Sequence, residues 1–168
     1  MNIVYEGKHV VVLERDGWEF VERKKAKSAV VIVARTDDGK IILTEQFRRP
    51  VDARVIDFAA GLVGDEGNHD EEETARRELE EETGYRCESM QRVASGPTSP
   101  GITSEIVTFF LATGLDRRGA GGGVGSEKIV VHEVPQGGVV EWLHEREREG
   151  VLIDNKIWAG FYLLSKST

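Results

Sequence analysis

Residues 61–85 of the chain read GLVGDEGNHDEEETARRELEEETGY, and most of the fold can be inferred outward from this stretch. Its second half predicts a helix with a defined beginning and end. Asp70 is a suitable N-cap, Glu73 completes a capping box three residues later, and Gly84 stands where a C-cap glycine is expected. We therefore expect a helix between Asp70 and Gly84.

Most of the glutamates in this helix have an ordinary structural explanation. Glu72 precedes Arg76 by four residues, and Glu73 precedes Arg77 by four. Pairs at this spacing stabilise a helix by about 0.2–0.5 kcal/mol each. These acids therefore predict a solvated helix face and no chemistry.

Glu78 and Glu82 differ from the other glutamates. The residue four before Glu78 is Thr74 and the residue four after it is Glu82, so two carboxylates stack on one face with no cation at helical spacing. Glu81 flanks the same face, and like charges at this spacing destabilise a helix. Hard oxygen ligands without a protein counter-charge suit Mg²⁺ or Mn²⁺, so the pattern favours a metal site.

Residues 77–85, RELEEETGY, resemble the second half of the signature of Nudix hydrolases and match it at every fixed position. The resemblance implies that Glu78, Glu81 and Glu82 bind the metal. Gly61 resembles the opening glycine, but it lies two residues further from the second half than the family spacing. The glutamate expected six residues after that glycine is Gly67 here, and either Glu66 or Glu71 could replace it.

Length and composition place limits on the class of protein. A chain of 168 residues with 39% hydrophobic content predicts a single domain over residues 1–168, and no apolar run approaches the roughly 20 residues of a membrane span. The single cysteine, Cys87, excludes an internal disulfide. With no pattern of a secretion signal in the first residues, these features predict a cytoplasmic protein. The net charge of −8 argues against broad nucleic-acid binding.

Hydrophobic patterning along the rest of the chain predicts a mixed α/β fold. A turn is expected at Asp16-Gly17, a mobile loop in the glycine-rich stretch 116–125, and residues 55–60 lead into the loop of the signature. Strands are predicted at 2–14, 18–23, 29–34, 40–46, 87–95, 105–112 and 129–134, and further helices at 139–150 and 157–164. We therefore expect an α/β/α sandwich with a mixed sheet covered on both faces, which is also the fold that the Nudix resemblance implies.

Several segments resemble the ADP-ribose pyrophosphatase branch of the family. Residues 18–23, WEFVER, resemble its adenine-stacking strand, which implies a nucleotide-binding role for Trp18, Glu19 and Arg23. Residues 45–50, EQFRRP, resemble a segment whose first arginine contacts the diphosphate, which implies that role for Arg48. A buried core position for Trp18 and a surface pair of Arg48 with Arg49 are the structural alternatives.

Residues 57–61, DFAAG, resemble the segment that carries a metal-binding carbonyl, which implies that role for Ala60. Leu62, directly after it, is counted among the predicted substrate-binding residues. The chain departs from the family pattern with Asp57 in place of glutamate and Ala59 in place of proline. We expect the first change to shorten a substrate contact and the second to loosen the loop.

Two later segments carry the candidates for the catalytic base. Residues 99–105, SPGITSE, resemble a loop that reaches the terminal sugar, which implies a substrate-binding role for Glu105. Residues 125–129, GSEKI, resemble a late loop with a catalytic glutamate, which here is Glu127. Glu127 is preferred as the base, and Glu105 and Glu81 remain alternatives.

The resemblance implies Mg²⁺-dependent hydrolysis of a nucleoside diphosphate sugar, with Mn²⁺ as an alternative ion. The preferred substrate is ADP-ribose, cleaved to AMP and ribose 5-phosphate by a homodimer in which residues 1–25 help to build the dimer and the adenine site. GDP-mannose, another nucleotide sugar or a flavin dinucleotide remains open. A non-catalytic nucleotide sensor is disfavoured because the signature carboxylates are retained, and an RNA-end hydrolase is disfavoured by the negative charge.

Overall fold

The computed structural model describes residues 1–26, 28–64, 67, 70–125 and 127–166. Within these residues the chain forms eleven strands and three α-helices. The strands are β1 (Asn2–Glu6), β2 (Val10–Arg15), β3 (Trp18–Arg23), β4 (Ser28–Arg35), β5 (Lys40–Arg48), β6 (Ala53–Asp57), β7 (Ala59–Val63), β8 (Tyr85–Pro97), β9 (Ile106–Arg117), β10 (Val130–Pro135) and β11 (Leu152–Ile153). The helices are α1 (Glu71–Thr83), α2 (Val139–Arg148) and α3 (Lys156–Ser165).

The amino-terminal segment forms a separate antiparallel sheet in the order β1-β2-β3. The prediction of one strand over residues 2–14 was wrong, because the N–H of Gly7 donates to the carbonyl of Val10 and turns the chain between β1 and β2. The second turn lies at Asp16-Gly17 as predicted, and both residues have positive φ angles. This sheet contacts the rest of the chain at Val21, whose N–H donates to the carbonyl of Ile102.

The other eight strands form one mixed sheet, as predicted. Its main path is β11-β6-β5-β4-β9-β8, with β10 paired to β5 and β7 paired to β4. The pairs β4–β9 and β6–β11 are parallel and the remaining pairs are antiparallel. Strand β11 was not predicted, because two residues are too short to give a periodic pattern.

Helices cover both faces of this sheet, which confirms the α/β/α sandwich. Val31 and Val33 of β4 belong to one buried cluster with Leu143 of α2 and Ile157 of α3. Their neighbours along β4 point to the opposite face and join a second cluster with Leu79 of α1. Because both faces are covered, β4 is an almost continuous apolar run and does not alternate with polar residues.

Helix α1 has the predicted caps. The side chain of Asp70 accepts a hydrogen bond from the Glu73 N–H at 2.8 Å, and Gly84 ends the helix with a φ of 77°. Strands β8 and β9 extend further than predicted, and β9 continues through residues 116 and 117, which had been placed in the glycine-rich loop. No helix in the described part of the chain has the length and apolar character needed to cross a membrane.

Strands β4 and β5 diverge after their turn, and the next two strands lie between them. β4 and β5 pair with each other only near the turn, after which β5 pairs with β6 and β4 pairs with β7. Thr44 of β5 is opposite Asp57, and Ile32 of β4 is opposite Ala59. Phe58 is therefore the corner at which the chain leaves one strand and joins the other, and the predicted lead-in segment 55–60 spans both strands.

Candidate active site

Glu78 of α1 lies against the backbone of Gly61 in β7. A Cβ atom built on Gly61 would be 2.2 Å from Cγ and Cδ of Glu78, closer than any real contact. Only glycine leaves room for this carboxylate side chain between the helix and the strand. The close approach gives a physical reason for the glycine that resembles the start of the family signature.

Glu82 lies one helical turn further along α1 and is buried, with 7% of its surface exposed. Its Oε2 accepts a hydrogen bond from the N–H of Ala60 at 3.1 Å. Burial is the main cause that raises the pKa of Glu82 to about 8. The charges of Glu78 and Glu127 add to this increase, while the Ala60 hydrogen bond and the charge of Arg48 oppose it. A buried carboxyl group with a raised pKa indicates a site where a bound cation would be favourable.

Arg77 supplies a cation that the sequence pattern did not predict for Glu78. Its Nη2 lies 2.8 Å from Oε1 of Glu78, while its Nη1 lies 2.7 Å from Oε2 of Glu81. The expectation that Glu78 has no protein counter-charge was therefore wrong. The i,i+4 rule missed this contact because the guanidinium group reaches the adjacent residue as well as the residue one turn later.

The carboxylates of Glu78 and Glu82 fit a divalent cation in charge and ligand type. Among the described residues, no group of three or more His, Cys, Asp or Glu side chains is arranged to hold a metal ion. Arg77 contacts Glu78 and Glu81 alike, so this pairing does not separate them as candidate ligands. A cation at this position would relieve the raised pKa of Glu82.

The glycine-rich segment is anchored to the end of α1, which contradicts the expectation of a mobile loop. The N–H groups of Gly122 and Gly123 donate to the carbonyls of Glu82 and Glu81 at 2.8 and 3.0 Å. These carbonyls belong to the last turn of the helix, where intrahelical partners are missing. A Cβ on Gly121 would be 2.4 Å from the backbone of Thr83, so the glycine allows the close approach.

Glu127 follows this anchored segment and is exposed. Its Oε2 accepts a hydrogen bond from the Val124 N–H at 3.0 Å, and its charge contributes to the raised pKa of Glu82. Glu127 is therefore within electrostatic reach of the buried carboxylate. Its role as catalytic base stays a prediction.

Glu105 is engaged in an ion pair with another predicted site residue. Nε of Arg23 lies 2.6 Å from Oε1 of Glu105, and the Glu105 side chain is 21% exposed. The pair connects β3 to the loop before β9. The Arg23 contact occupies the Glu105 carboxylate, so this geometry favours Glu127 over Glu105 for proton abstraction.

Trp18 lies on the surface of the amino-terminal sheet with 67% of its area exposed, which excludes the core alternative. It lines an open groove of about 420 Å³ between this sheet and the loop before β9. Glu19 is exposed beside it in β3. The residues that line the groove are Arg15, Asp16, Trp18, Phe20, Pro100, Gly101, Thr103 and Ser104.

The remaining predicted substrate residues differ in their surroundings. Arg48 ends β5, is exposed, and its charge acts on Glu82. Leu62 of β7 is half-buried and packs against the hydrophobic cluster on the α2–α3 side. Its substrate contact stays a prediction.

Two expectations about departures from the family pattern were wrong. Asp57 does not face a substrate, because its side chain is buried. Its carboxylate lies 2.9 Å from Nζ of Lys156. Burial raises the pKa of Asp57 to about 6 in spite of this cation. Ala59 does not loosen a loop, because it is buried in β7 opposite Ile32.

The replacement for the missing signature glutamate stays open. Glu66 lies outside the described residues, as does His69. Glu71 is at the start of α1, where its side chain accepts a hydrogen bond from the hydroxyl of Ser28 at 3.2 Å.

His132 lies 2.8 Å from the buried Glu45, and this contact supports a structural role for the histidine.

Comparisons with known proteins agree with this fold and site. The model of the NUDIX domain family matches residues 25–141. The chain is 35% identical to a methanol dehydrogenase activator from Bacillus methanolicus, over 76% of this chain and 71% of that protein. It is 32% identical to a GDP-mannose pyrophosphatase from Cronobacter sakazakii, over 92% of this chain and 81% of that protein. The chain belongs to the Nudix hydrolase family.

A shorter match and a structural match add to this result. The chain is 44% identical to an ADP-ribose pyrophosphatase from Bacillus subtilis, over 54% of this chain and 48% of that protein. A crystal structure of an ADP compounds hydrolase superimposes with a TM-score of 0.72 and covers 98% of this chain and 89% of that one. At 20% identity, the structural match supports the fold alone.

Replacing Glu82 with glutamine is expected to stabilise the metal-free protein, more at pH 8 than at pH 5. The folded pKa of about 8 lies above the ordinary value of 4.5, so between these values the folded state holds a proton that the unfolded state has released. The stability contributed by Glu82 is therefore complete below about pH 4 and is lost as the pH rises towards 8. We expect Glu82→Gln to gain roughly 1–3 kcal/mol at pH 8.

Urea unfolding in EDTA at the two pH values measures this gain. Glu80→Gln is the matched control on the same helix, because a hydrogen bond from Arg86 lowers the pKa of Glu80. The control should show no stabilisation at either pH. Equal stability of Glu82→Gln and the parent at both pH values would contradict the raised pKa of Glu82.

Proposed function

We propose that this protein hydrolyses the diphosphate bond of nucleoside diphosphate sugars with Mg²⁺, and that ADP-ribose is its preferred substrate. The observation that supports this function best is the buried carboxylate of Glu82 beside Glu78, both held against the β7 backbone. Water adds to one phosphorus, the bridging P–O bond breaks, and the products of ADP-ribose are AMP and ribose 5-phosphate. Mn²⁺ has the same ligand preferences and is the alternative ion.

In this proposal Glu78, Glu81, Glu82 and the carbonyl of Ala60 hold the metal. A bound metal would neutralise charge on the diphosphate and lower the pKa of the attacking water. Arg77 orients Glu81 and Glu78 through the two contacts described above. Arg48 is proposed to contact a diphosphate oxygen, and the effect of its charge on Glu82 supports this role.

Glu127 is the proposed base that takes the proton from the attacking water. Glu127 is exposed, and its carboxylate accepts a hydrogen bond from the Val124 N–H. Glu105, by contrast, is held by Arg23 and is proposed to bind the sugar or to keep the loop in place. Glu81 is paired with Arg77 and is the third candidate for the base.

The nucleotide base is proposed to stack on Trp18 in the groove of the amino-terminal sheet. An exposed indole beside Phe20 offers the flat apolar surface that a purine needs, and stacking of this kind contributes roughly 1–3 kcal/mol per base. Glu19 and Arg23 belong to the same strand, β3, and are also proposed to contact the nucleotide.

We also propose a homodimer built on the amino-terminal sheet. Strand β1 is exposed along its entire length, including Ile3, Val4 and Tyr5, which are each more than half exposed. Among the described residues, strand β1 pairs with β2 on one side only, and an edge strand with apolar side chains on both faces is suited to association with a second copy. Sedimentation at several protein concentrations tests this proposal.

GDP-mannose is the second candidate substrate. A relative called GDP-mannose pyrophosphatase matches 92% of this chain, whereas the match to the ADP-ribose pyrophosphatase covers 54%. The preference for ADP-ribose depends on the segments around Trp18 and Arg48. Another nucleotide sugar or a flavin dinucleotide would require the same diphosphate chemistry, so the class of substrate is supported better than its identity.

The test of the function is a turnover assay with Mg²⁺ on ADP-ribose, GDP-mannose and a flavin dinucleotide, with nucleoside monophosphate as the detected product. We expect ADP-ribose to give the highest kcat/KM. Glu82→Gln should lower kcat at least ~100-fold, or about 2.7 kcal/mol, because it removes a charge from the metal site. Glu80→Gln should retain activity within a few-fold. Tight binding without turnover of any substrate would contradict the enzyme and favour a sensor.

Trp18→Ala is expected to raise KM for ADP-ribose about tenfold or more and to change kcat little. Stacking contributes equally to the ground and transition states, so its loss appears mainly in KM. Trp158→Ala is the control, since Trp158 of α3 is 38% exposed and lies outside the groove. An unchanged KM in Trp18→Ala would place the nucleotide base elsewhere.

Glu127→Gln is expected to lower kcat about 10²–10⁴-fold, the usual effect of losing a general base, and to leave KM nearly unchanged. The acidic limb of its kcat profile against pH should disappear. Glu105→Gln is the matched comparison, and we expect it to raise KM and to reduce discrimination between sugars. The reverse pattern would exchange the two roles. Unchanged profiles in both variants would leave Glu81, or a metal-bound hydroxide that needs no protein base, as the alternatives.

A further inference from the structure

The corner between β6 and β7 is not held by the strand ladders alone. Asp57 is the last residue of β6 and Ala59 is the first residue of β7, so Phe58 belongs to neither ladder. The N–H of Phe58 instead donates to Oδ1 of its neighbour Asp57 at 2.8 Å. The conformation of the corner therefore depends on where the Asp57 carboxylate is held.

Lys156, the first residue of α3, holds this carboxylate. Its Nζ lies 2.9 Å from Oδ2 of Asp57 and 2.5 Å from Oδ2 of Asp154. Asp57 is 5% exposed, so without Lys156 its charge would be buried with no cation in contact. Removal of one partner from a buried ion pair is strongly destabilising, because the other charge stays uncompensated.

Helix α3 also contacts the second residue of the corner. Gly160 lies one turn after Lys156, and a Cβ built there would be 2.3 Å from Cε2 of Phe58. The ring of Phe161 packs edge-on against the same phenylalanine, with the ring centroids 6.0 Å apart. One face of α3 thus fixes Asp57 through charge and Phe58 through close packing.

The corner is connected to the active site by two residues of strand. Ala60 follows Phe58 by two positions and donates its N–H to Glu82, and Gly61 lies against the side chain of Glu78. A Cβ at position 61 would displace the Glu78 side chain, so the strand and this carboxylate are in close contact. A displacement of the corner would therefore change the spacing between β7 and both carboxylates.

We propose that Lys156 is a positioning residue for the metal site, acting through Asp57 to hold Ala60 and Gly61 in register with Glu78 and Glu82. This inference rests on the proposed function in that the two glutamates bind the metal. Lys156 lies beyond residues 25–141, which the family model matches, so the family match assigns it no role. The inference extends the site from β7 and α1 to the carboxyl-terminal helix.

The test measures Mn²⁺ affinity of the substrate-free protein by electron paramagnetic resonance. Lys156→Met is expected to weaken Mn²⁺ binding about tenfold, the lower end of the effect of removing outer support from a metal site. Lys156→Arg retains the cation and should stay within about threefold of the parent, a change below one tenfold step of affinity. Lys156→Gln retains a hydrogen-bond donor and replaces the Met variant if that one does not fold.

A double-mutant cycle tests the route through Asp57. Asp57→Asn retains the oxygen that accepts from Phe58 but removes the charge that Lys156 neutralises. In this background, Lys156→Met should change Mn²⁺ affinity by less than about threefold, because the partner through which it acts is already neutral. An equal effect of Lys156→Met in both backgrounds would overturn the route through Asp57.

Lys40→Met separates positioning from general stability. Lys40 pairs with Asp38 and Glu133 near the β4–β5 turn, so its loss should lower the melting temperature without changing Mn²⁺ affinity. Unchanged Mn²⁺ affinity in folded Lys156→Met would overturn the inference while leaving the proposed function intact. If the parent protein bound no Mn²⁺, the metal site, the proposed function and this inference would all be overturned.

Discussion

The site depends on the contact between β7 and α1, where the N–H of Ala60 donates to the buried carboxylate of Glu82. The strand also lies so close to Glu78 that only glycine fits at position 61. Two acidic side chains are thereby held next to each other in a place where water is largely excluded. This arrangement is unfavourable for the metal-free protein, because burial and like charge both oppose ionisation. The cost is a reason to expect a cation at this site.

The rest of the chain holds the strand and the helix at this distance. Apolar side chains of β4 on both faces fix the sheet between α1 and the pair α2–α3. The end of α1 is fixed by the glycine-rich segment, which donates hydrogen bonds to the carbonyls of Glu81 and Glu82. Because these two residues also carry carboxylates of the site, the same segment that leads to Glu127 controls the position of its acidic neighbours. A loop that carries the proposed base and packs on the end of the helix with the proposed metal ligands would connect the two parts of the proposed chemistry.

The sequence predicted those features that follow from local rules. The caps of α1, the buried strand β4 and the clustering of Glu78 with Glu82 all follow from residue types at short spacing. Contacts between distant parts of the chain were missed. The glycines at 121–123 were interpreted as a mobile loop, because nothing in their own sequence shows that they pack on a helix end. The missing partners of the last helical carbonyls were a signal that this interpretation overlooked.

The substitution of aspartate for glutamate at position 57 shows why family patterns need a structural interpretation. The family pattern alone suggested that Asp57 shortens a substrate contact. In the structure its carboxylate is buried and forms an ion pair with Lys156. The buried carboxylate of Asp57 is paired with a lysine from a distant helix. The role of either residue can therefore be inferred only when the position of the other is known. Since Asp57 directly precedes the corner at Phe58, this unit ties the carboxyl-terminal helix to the strand that carries Ala60. The geometry of the candidate site therefore depends on both sides of the sandwich, although its proposed acidic ligands come from one helix.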